Sequence, residues 1–285
     1  MISVGKWAVS RFTDWLTREA DLAPDAPSQT NFERLCDEIR PGDIILVEGR
    51  SRVSDIIKKI TQSAWSHSVL YLGNYHQLDV AGIAPDEISH YATTPHTHLI
   101  IETLLGQGTI VTPLSKYRQE HLRICRPRNL TMNDRNNVIK NTFGKLGYQY
   151  NFRQLFDLAR FLLPYSLVPG RWRSTLFQYH AGESTKTICS SMLAEAFTTV
   201  RFPILPIVEQ TEGGGLRFYK RNLKLFTPKD FDYSPYFDII KYPIIGLDEM
   251  ATYRFLPWDE EGYECNEQGD CIIPMTEAGE KPPDK

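Results

Sequence analysis

Three apolar segments govern what this chain can become: "DIILVEG" from Asp43, "SHSVLYLG" from Ser66 and "THLIIETLLG" from Thr97. Each has the length of a strand, is rich in branched residues and ends on glycine. "GTIVTPLSKY" from Gly108 and "HLRICRP" from His121 extend the series, and "RPGD" ahead of the first strand is a turn signal through Pro41 and Gly42. No regular strand–helix–strand alternation and no internal repeat runs through the sequence. The fold class expected is therefore α+β, an antiparallel sheet packed against helices, and not a doubly wound parallel sheet.

Helical spacing marks the segments between and around these strands. "NFERLCDEI" reads as a short helix, and "RVSDIIKKITQS" carries Val53, Ile56, Ile57 and Ile60 on one side. "TMNDRNNVIKNTFGKLGYQY" predicts a helix capped by Thr131 or Asn133 and closed near Gly144. In "STKTICSSMLAEAF", Thr187 is the expected N-cap, Cys189 sits in the first turn, and Ile188, Met192, Leu193, Ala196, Phe197 and Val200 face the core.

This pattern divides the chain into three parts. Residues 1–35 form an amphipathic helix and a linker rich in proline and small polar residues. Residues 36–245 form the main domain, with a loop-rich insertion at about 151–183. Residues 246–285 form an acidic tail, poor in apolar residues and expected to be disordered from Trp258 onward. The first twenty residues admit two readings: a helix docked on the main domain, or one lying on a membrane surface, for which Trp7 and Trp15 are suited. Neither a secretory signal nor a run long enough to span a bilayer is visible, so the cytoplasm is the default location.

Composition removes several functions. A net charge of −3 lacks the basic footprint of a nucleic-acid partner. Five cysteines, Cys36, Cys125, Cys189, Cys265 and Cys271, contain no CxxC pair, so neither a zinc ribbon nor a thioredoxin-like site is supported. Cys265 and Cys271 are spaced for a local disulfide in an oxidising compartment.

What remains is the chemistry of Cys189. A helix N-terminus favours the thiolate, but by only about 0.3–1 kcal/mol near a surface, so the thiol needs a base. Of seven histidines, His67 opens an apolar strand and shares a face with Val69 and Tyr71. His76 and His90 lie in loop-like sequence, His121 and His180 in polar, irregular surroundings, and the His96/His98 pair lacks a third ligand at metal spacing. For each histidine the competing reading is a surface or satisfied core residue. Glu102 interrupts the apolar run "LIIETLL", where a buried carboxylate demands a partner. Its alternative is an exposed face of an edge strand. If the strands of His67 and Glu102 are neighbours, the carboxylate can hold one ring nitrogen while the other faces Cys189.

"RPGDIILVEGRS", "WSHSVLYLG", "IIETL", "GKLGYQYNF" and "TICSSMLAEAF", in that order, resemble the permuted papain-like cysteine amidases of the YiiX and YaeF type, of the NlpC-type superfamily. The resembling segments run from about Arg40 to Val200. The resemblance implies a circularly permuted papain-like fold, with Cys189 as nucleophile, His67 as base and Glu102 as its orienter. It also implies Tyr148, in "GYQY", as an oxyanion or substrate candidate, against the reading of an ordinary core or surface tyrosine. Ser191 stands where many relatives have a glutamate. No metal and no cofactor are expected.

Three functions follow. The first is a cysteine hydrolase cleaving an amide in a peptide, a cell-wall fragment or a lipid-linked amide, through a thioester. The second is a lipid acyltransferase or phospholipase, because the scaffold also resembles the lecithin:retinol acyltransferase group. The third is a non-catalytic binding domain of papain-like shape. The expected partner is a small-molecule, peptide or lipid substrate, with peripheral membrane contact through residues 1–20 under the second reading of that segment.

Overall fold

The computed structural model describes residues 11, 14–18, 28–92, 94–150, 186–187, 189–211, 213–244, 264–265 and 271–272. The chain divides into two units, Met1–Tyr242 and Pro243–Lys285. The expected insertion at about 151–183 lies outside the described residues, as do most of the first twenty residues and of the tail.

In the first unit the order is α1 (Phe32–Glu38), β1 (Ile44–Glu48), α2 (Arg52–Thr61), β2 (His67–Gly73), α3 (Tyr75–Val80), α4 (Pro85–Ser89), β3 (Leu99–Leu104) and β4 (Gly108–Pro113). A 3₁₀ turn (Leu114–Tyr117) leads to β5 (His121–Pro127) and α5 (Met132–Phe143). Then come β6 (Gln149–Tyr150), β7 (Lys186–Thr187), α6 (Cys189–Thr199), β8 (Ile207–Gln210), β9 (Leu216–Tyr219), α7 (Lys229–Tyr233) and β10 (Phe237–Ile240). Six strands form one antiparallel sheet in the order β10-β5-β1-β2-β3-β4, so the α+β expectation holds.

Local chemistry starts and stops these elements. The "RPGD" turn closes through the Asp43 N–H on the Arg40 carbonyl at 2.9 Å, and Gly42 supplies the positive φ of 90° that its third position needs. Ser51 caps α2 by accepting from the Ser54 N–H, and Thr131 caps α5 by accepting from the Asp134 N–H. Thr131, not Asn133, is thus the cap, and α5 closes at Gly144 as expected.

The near-continuous apolar strands have a simple cause: both faces of the sheet are covered. On one face Ile44, Leu46, Leu70, Leu72 and Ile101 pack against Val138 and Ile139 of α5 and Met192, Leu193 and Phe197 of α6. On the other, Ile45, Val47, Val69, Tyr71 and Ile100 pack against Phe32, Leu35 and Ile39 and against Leu114 and Tyr117 of the 3₁₀ turn. Met192, Leu193, Ala196 and Phe197 are all fully buried, which is the i, i+3, i+4 stripe of a core-facing helix.

The "GGG" loop at Gly213–Gly215 is the tip of a hairpin, with Ile207 paired to Tyr219 and Gln210 to Leu216. Every residue of its two strands is exposed. In the second unit β11 (Glu264–Cys265) pairs antiparallel with β12 (Cys271–Ile272), and Cys265 stands opposite Cys271 in the register.

Candidate active site

His67 is the first residue of β2, and its neighbours fix that strand end. The Ser66 N–H donates to the Val47 carbonyl at 3.1 Å, and Ser66 Oγ accepts from the Gly49 N–H at 2.9 Å. A Cβ on Gly49 would come within 2.5 Å of Ser54 Oγ, so only glycine permits this approach. Strand alternation turns His67, Val69 and Tyr71 to one face. Pairing of Leu70 with Ile101 and Tyr71 with Ile100 puts Glu102 on that same face, one strand over. His67 Nε2 and Glu102 Oε2 are 2.9 Å apart.

Glu102 lies inside the sheet on β3, fully buried, and every lone-pair direction of its carboxylate is used. Thr112 Oγ1 donates to Oε1 at 2.7 Å and Lys116 Nζ donates to the same oxygen at 2.9 Å. The Tyr117 hydroxyl joins His67 on Oε2. Burial works to raise the carboxyl's pKa, and the His67 hydrogen bond and charge, then Lys116 and Tyr117, outweigh it and bring it down to about 2. The acid is ionised at any ordinary pH.

Cys189 is the first residue of α6 and is 3% exposed. Its thiol and the His67 ring act on each other by charge and hydrogen bond. With Nε2 committed to Glu102, Nδ1 is the ring nitrogen left for the sulfur. Burial opposes the charged form of each partner. For Cys189 it is outweighed by the His67 charge and hydrogen bond, and then by the N–H and hydroxyl of Ser68, so the thiol pKa falls below its ordinary value. For His67 it is outweighed by Cys189 and then Glu102, and the ring is pushed up to about 10. Both displacements favour a thiolate beside an imidazolium. The other described thiols go the opposite way. Burial pushes Cys36 up to about 12 and raises Cys125 as well.

The sulfur's apolar surroundings are Leu16 and Leu105, with Val53, Ile56 and Ile57 of α2 packed against them. Leu16, 3% exposed, comes from the amphipathic N-terminal segment, whose neighbouring Trp15 lies 4.6 Å under the Arg52 guanidinium. Arg52 Nη1 also donates to the Trp15 carbonyl at 3.2 Å. At residues 15 and 16, therefore, the N-terminal segment rests on α2.

The structure brings His67, Glu102 and Cys189 together, but not every expectation at the site survives. Thr187 is not the N-cap: it belongs to β7, its backbone drawn into parallel pairing with Tyr150, and the helix opens at Cys189. Tyr148 is half-buried and its backbone is held by Thr109 and Lys145. Among the described residues no hydrogen bond links its side chain to the three. Three other described histidines have partners elsewhere. His98 Nδ1 bonds the Tyr71 hydroxyl at 2.7 Å, His121 pairs with Glu48 at 3.0 Å, and His90 donates to the Asp86 carbonyl. His180 lies outside the described residues.

Sequence reasoning missed Thr112, Lys116, Tyr117 and Ser68. A signal for the first three existed. Closing "LIIETLLGQGTIVTPLSKY" as a hairpin about "GQG" pairs Glu102 with Ile110 and sets Thr112, Lys116 and Tyr117 at its open end. Among the described residues no group of three or more His, Cys, Asp or Glu side chains is arranged to hold a metal ion, and no helix is long and apolar enough to cross a membrane.

A sheet-anchored imidazole between a buried carboxylate and a helix-head thiol has the parts that thiol-dependent acyl transfer requires. Comparison with known proteins finds the following likenesses. Residues 38–159 match the family model described as permuted papain-like amidase enzymes, YaeF/YiiX, C92 family. The matched stretch takes in His67 and Glu102 and stops before Cys189. The crystal structure of the metalloprotein YiiX from Escherichia coli O157:H7 is similar to this chain with a TM-score of 0.43 and 13% identity, covering 71% of this chain and 97% of that one. No curated protein matches the chain.

Proposed function

We propose that this protein is a cysteine-dependent hydrolase that cleaves an amide bond through a thioester, with Cys189 as nucleophile, His67 as general base and acid, and Glu102 as the residue that orients and charges His67. The observation that carries this reading is a buried carboxylate, saturated by four donors, 2.9 Å from His67 Nε2, with the Cys189 thiol acting on the same ring so that the thiol is displaced downward and the imidazole upward. The amidase description of the matching family supports it.

The steps follow from the charges. The Cys189 thiolate attacks the carbonyl carbon, a C–S bond forms and the carbonyl π pair moves onto oxygen. The backbone N–H of Cys189, which as the first residue of α6 has no intrahelical acceptor, is one donor for that oxyanion. The proposed second donor is the Tyr148 hydroxyl, because the strand that follows it, β6, pairs with β7 directly before Cys189. The tetrahedral intermediate collapses, the C–N bond breaks, and the leaving amine takes the proton from the His67 imidazolium. Neutral His67 then removes a proton from water, whose oxygen attacks the thioester. Collapse releases the carboxylic acid and restores the ion pair. Glu102 stays ionised throughout, as its saturated carboxylate requires.

Leu16, Leu105 and α2 pack apolar side chains against Cys189, which is compatible with an apolar acyl group, so lipid-linked amides and acyl esters belong in the substrate set with peptides. The deciding experiment is a panel of N-acyl amino acids, short peptides and phospholipids offered to the pure protein, with mass-spectrometric mapping of a thiol-directed probe. Turnover that survives Cys189→Ala, or a probe carried by one of the other four cysteines, overturns the assignment.

A further inference from the structure

Buried hydroxyls beneath the opening of α6 are of two kinds. Thr103 and Thr109, each 1% exposed, bond each other at 3.0 Å and turn toward the Met192 sulfur at 3.4 and 3.7 Å. Ser68 is just as deeply buried, at 0%, yet its Oγ has no hydrogen-bond partner among the described residues. Buried polar groups nearly always have one, and Ser68 Oγ is among the few described side-chain atoms that do not, with Ser191 Oγ in the first turn of α6 another.

Position supplies a reason for Ser68. Ser68 follows His67 directly, and strand alternation turns it to the opposite face of the sheet. That face is shared by Leu70 and Leu72, against which α6 packs through Met192, Leu193 and Phe197. Cys189 opens α6 on that face, and residues 67 and 68, adjacent on β2, both act on its sulfur. We propose that the Ser68 hydroxyl is a donor held in reserve for the Cys189 thiolate, forming its hydrogen bond when the thiol proton passes to His67. This rests on the reading of Cys189 and His67 as a working pair and adds a second stabiliser to it.

The chemistry is consistent at each atom. Proton transfer from Sγ to Nδ1 leaves a full negative charge on sulfur and makes it a strong acceptor. Ser68 Oγ–H has no other acceptor to give up, so turning to the sulfur breaks nothing. The direction in which Ser68 shifts the Cys189 equilibrium, toward the thiolate, is that of a donor to the charged sulfur. When the C–S bond forms the charge leaves sulfur and the hydrogen bond weakens. The hydroxyl therefore raises the thiolate population while making each thiolate a slightly poorer nucleophile. The ionisable groups acting on the sulfur are His67 and, more weakly, Tyr117, with Glu102 and Lys116 behind the imidazole. Val53, Ile56, Ile57, Leu16 and Leu105 complete its surroundings and carry no charge.

The test is the rate of iodoacetamide alkylation at Cys189 in the full chain, mapped by mass spectrometry from about pH 5 to about pH 10. The wild type titrates below an ordinary thiol. Ser68→Ala moves the midpoint up by about one pH unit, slows labelling about tenfold below the wild-type midpoint, and labels as fast or faster above both midpoints. Ser68→Thr, which restores the hydroxyl, returns the midpoint. A merely structural role would slow labelling at all pH values alike. Thermal melting checks that Ser68→Ala is folded, and Ser68→Gly is read the same way should it not be. A folded, hydroxyl-free variant with the wild-type midpoint overturns this inference and leaves the hydrolase reading standing. A wild-type Cys189 that titrates like a free thiol overturns both.

Discussion

Two histidine–carboxylate pairs flank the same strand end, alike in length and unlike in burial. β1 runs antiparallel to both β2 and β5, and its last residues pair outward to each: Val47 with His67 on one side, Glu48 with His121 on the other. The two ion pairs have nearly the same length, 2.9 Å for His67–Glu102 and 3.0 Å for His121–Glu48. Glu48 and His121 are about one-third exposed, while Glu102 is fully buried with three further donors. His121 has the Trp65 ring beside it at 5.1 Å, whereas His67 has a thiol. Distance therefore does not distinguish a site. Burial, saturation of the carboxylate and a third reactive group do, because each of them moves a protonation equilibrium.

The comparison breaks most visibly at the nucleophile and base. Cys189→Ala or His67→Ala should lower amide hydrolysis by about 10⁴-fold or more, and His121→Ala should leave it within about threefold. A His121→Ala loss as large as that of His67→Ala would show the two pairs to be equivalent. Next comes the acid. Glu102→Gln keeps the shape but loses the charge, and turnover should fall by about 10²–10⁴-fold, with Glu48→Gln near wild type in the same assay.

Stability should distinguish the pairs too. Glu102→Ala strands His67, Lys116 and Tyr117 around an emptied site and should cost about 3–5 kcal/mol in denaturant unfolding, whereas Glu48→Ala should cost about 0–1 kcal/mol. The pH dependence has a defined sign. Glu102 is held below its unfolded value, so its contribution is full above about pH 4.5 and disappears as pH falls through about 2. His67 is held above its unfolded value, so its contribution is full below about pH 6.5 and disappears as pH rises through about 10. Melting temperatures of Glu102→Gln should therefore change less than wild type between pH values of about 4.5 and about 2. The smallest effect concerns access. Leu16→Ala, thinning the apolar cover beside the sulfur, should speed alkylation of Cys189 about two- to fivefold, with unchanged labelling marking Leu16 as mere packing.

How much of this could be read from residues alone follows a pattern. The strands "IILVE", "HSVLYLG" and "LIIETL" were legible because hydrophobic runs bounded by turn residues are local information. Glu102 was legible for the complementary reason: a carboxylate within such a run has to be answered by something. Whether it faced solvent on an edge strand or a partner inside the sheet depended on which strands were neighbours, and no local pattern carries that. The Thr187 cap failed because a distant two-residue strand claimed its backbone, a long-range effect on a local motif. Thr112, Lys116 and Tyr117 went unseen because their role exists only once the β3–β4 hairpin closes and its trailing turn folds back over Glu102.

By itself, the order of residues settled the kinds of element, the antiparallel class of the sheet, and the three segments bearing a thiol, an imidazole and an acid that needed a partner. Tertiary structure alone decided that the three meet, that the carboxylate is saturated, and that Cys189 is pushed toward the thiolate while Cys36 and Cys125 are pushed away from it. The physical reason is that side-chain types and periodicities are written residue by residue. Protonation is set by the charges and dipoles within a few ångströms, and only folding across long stretches of chain puts them there.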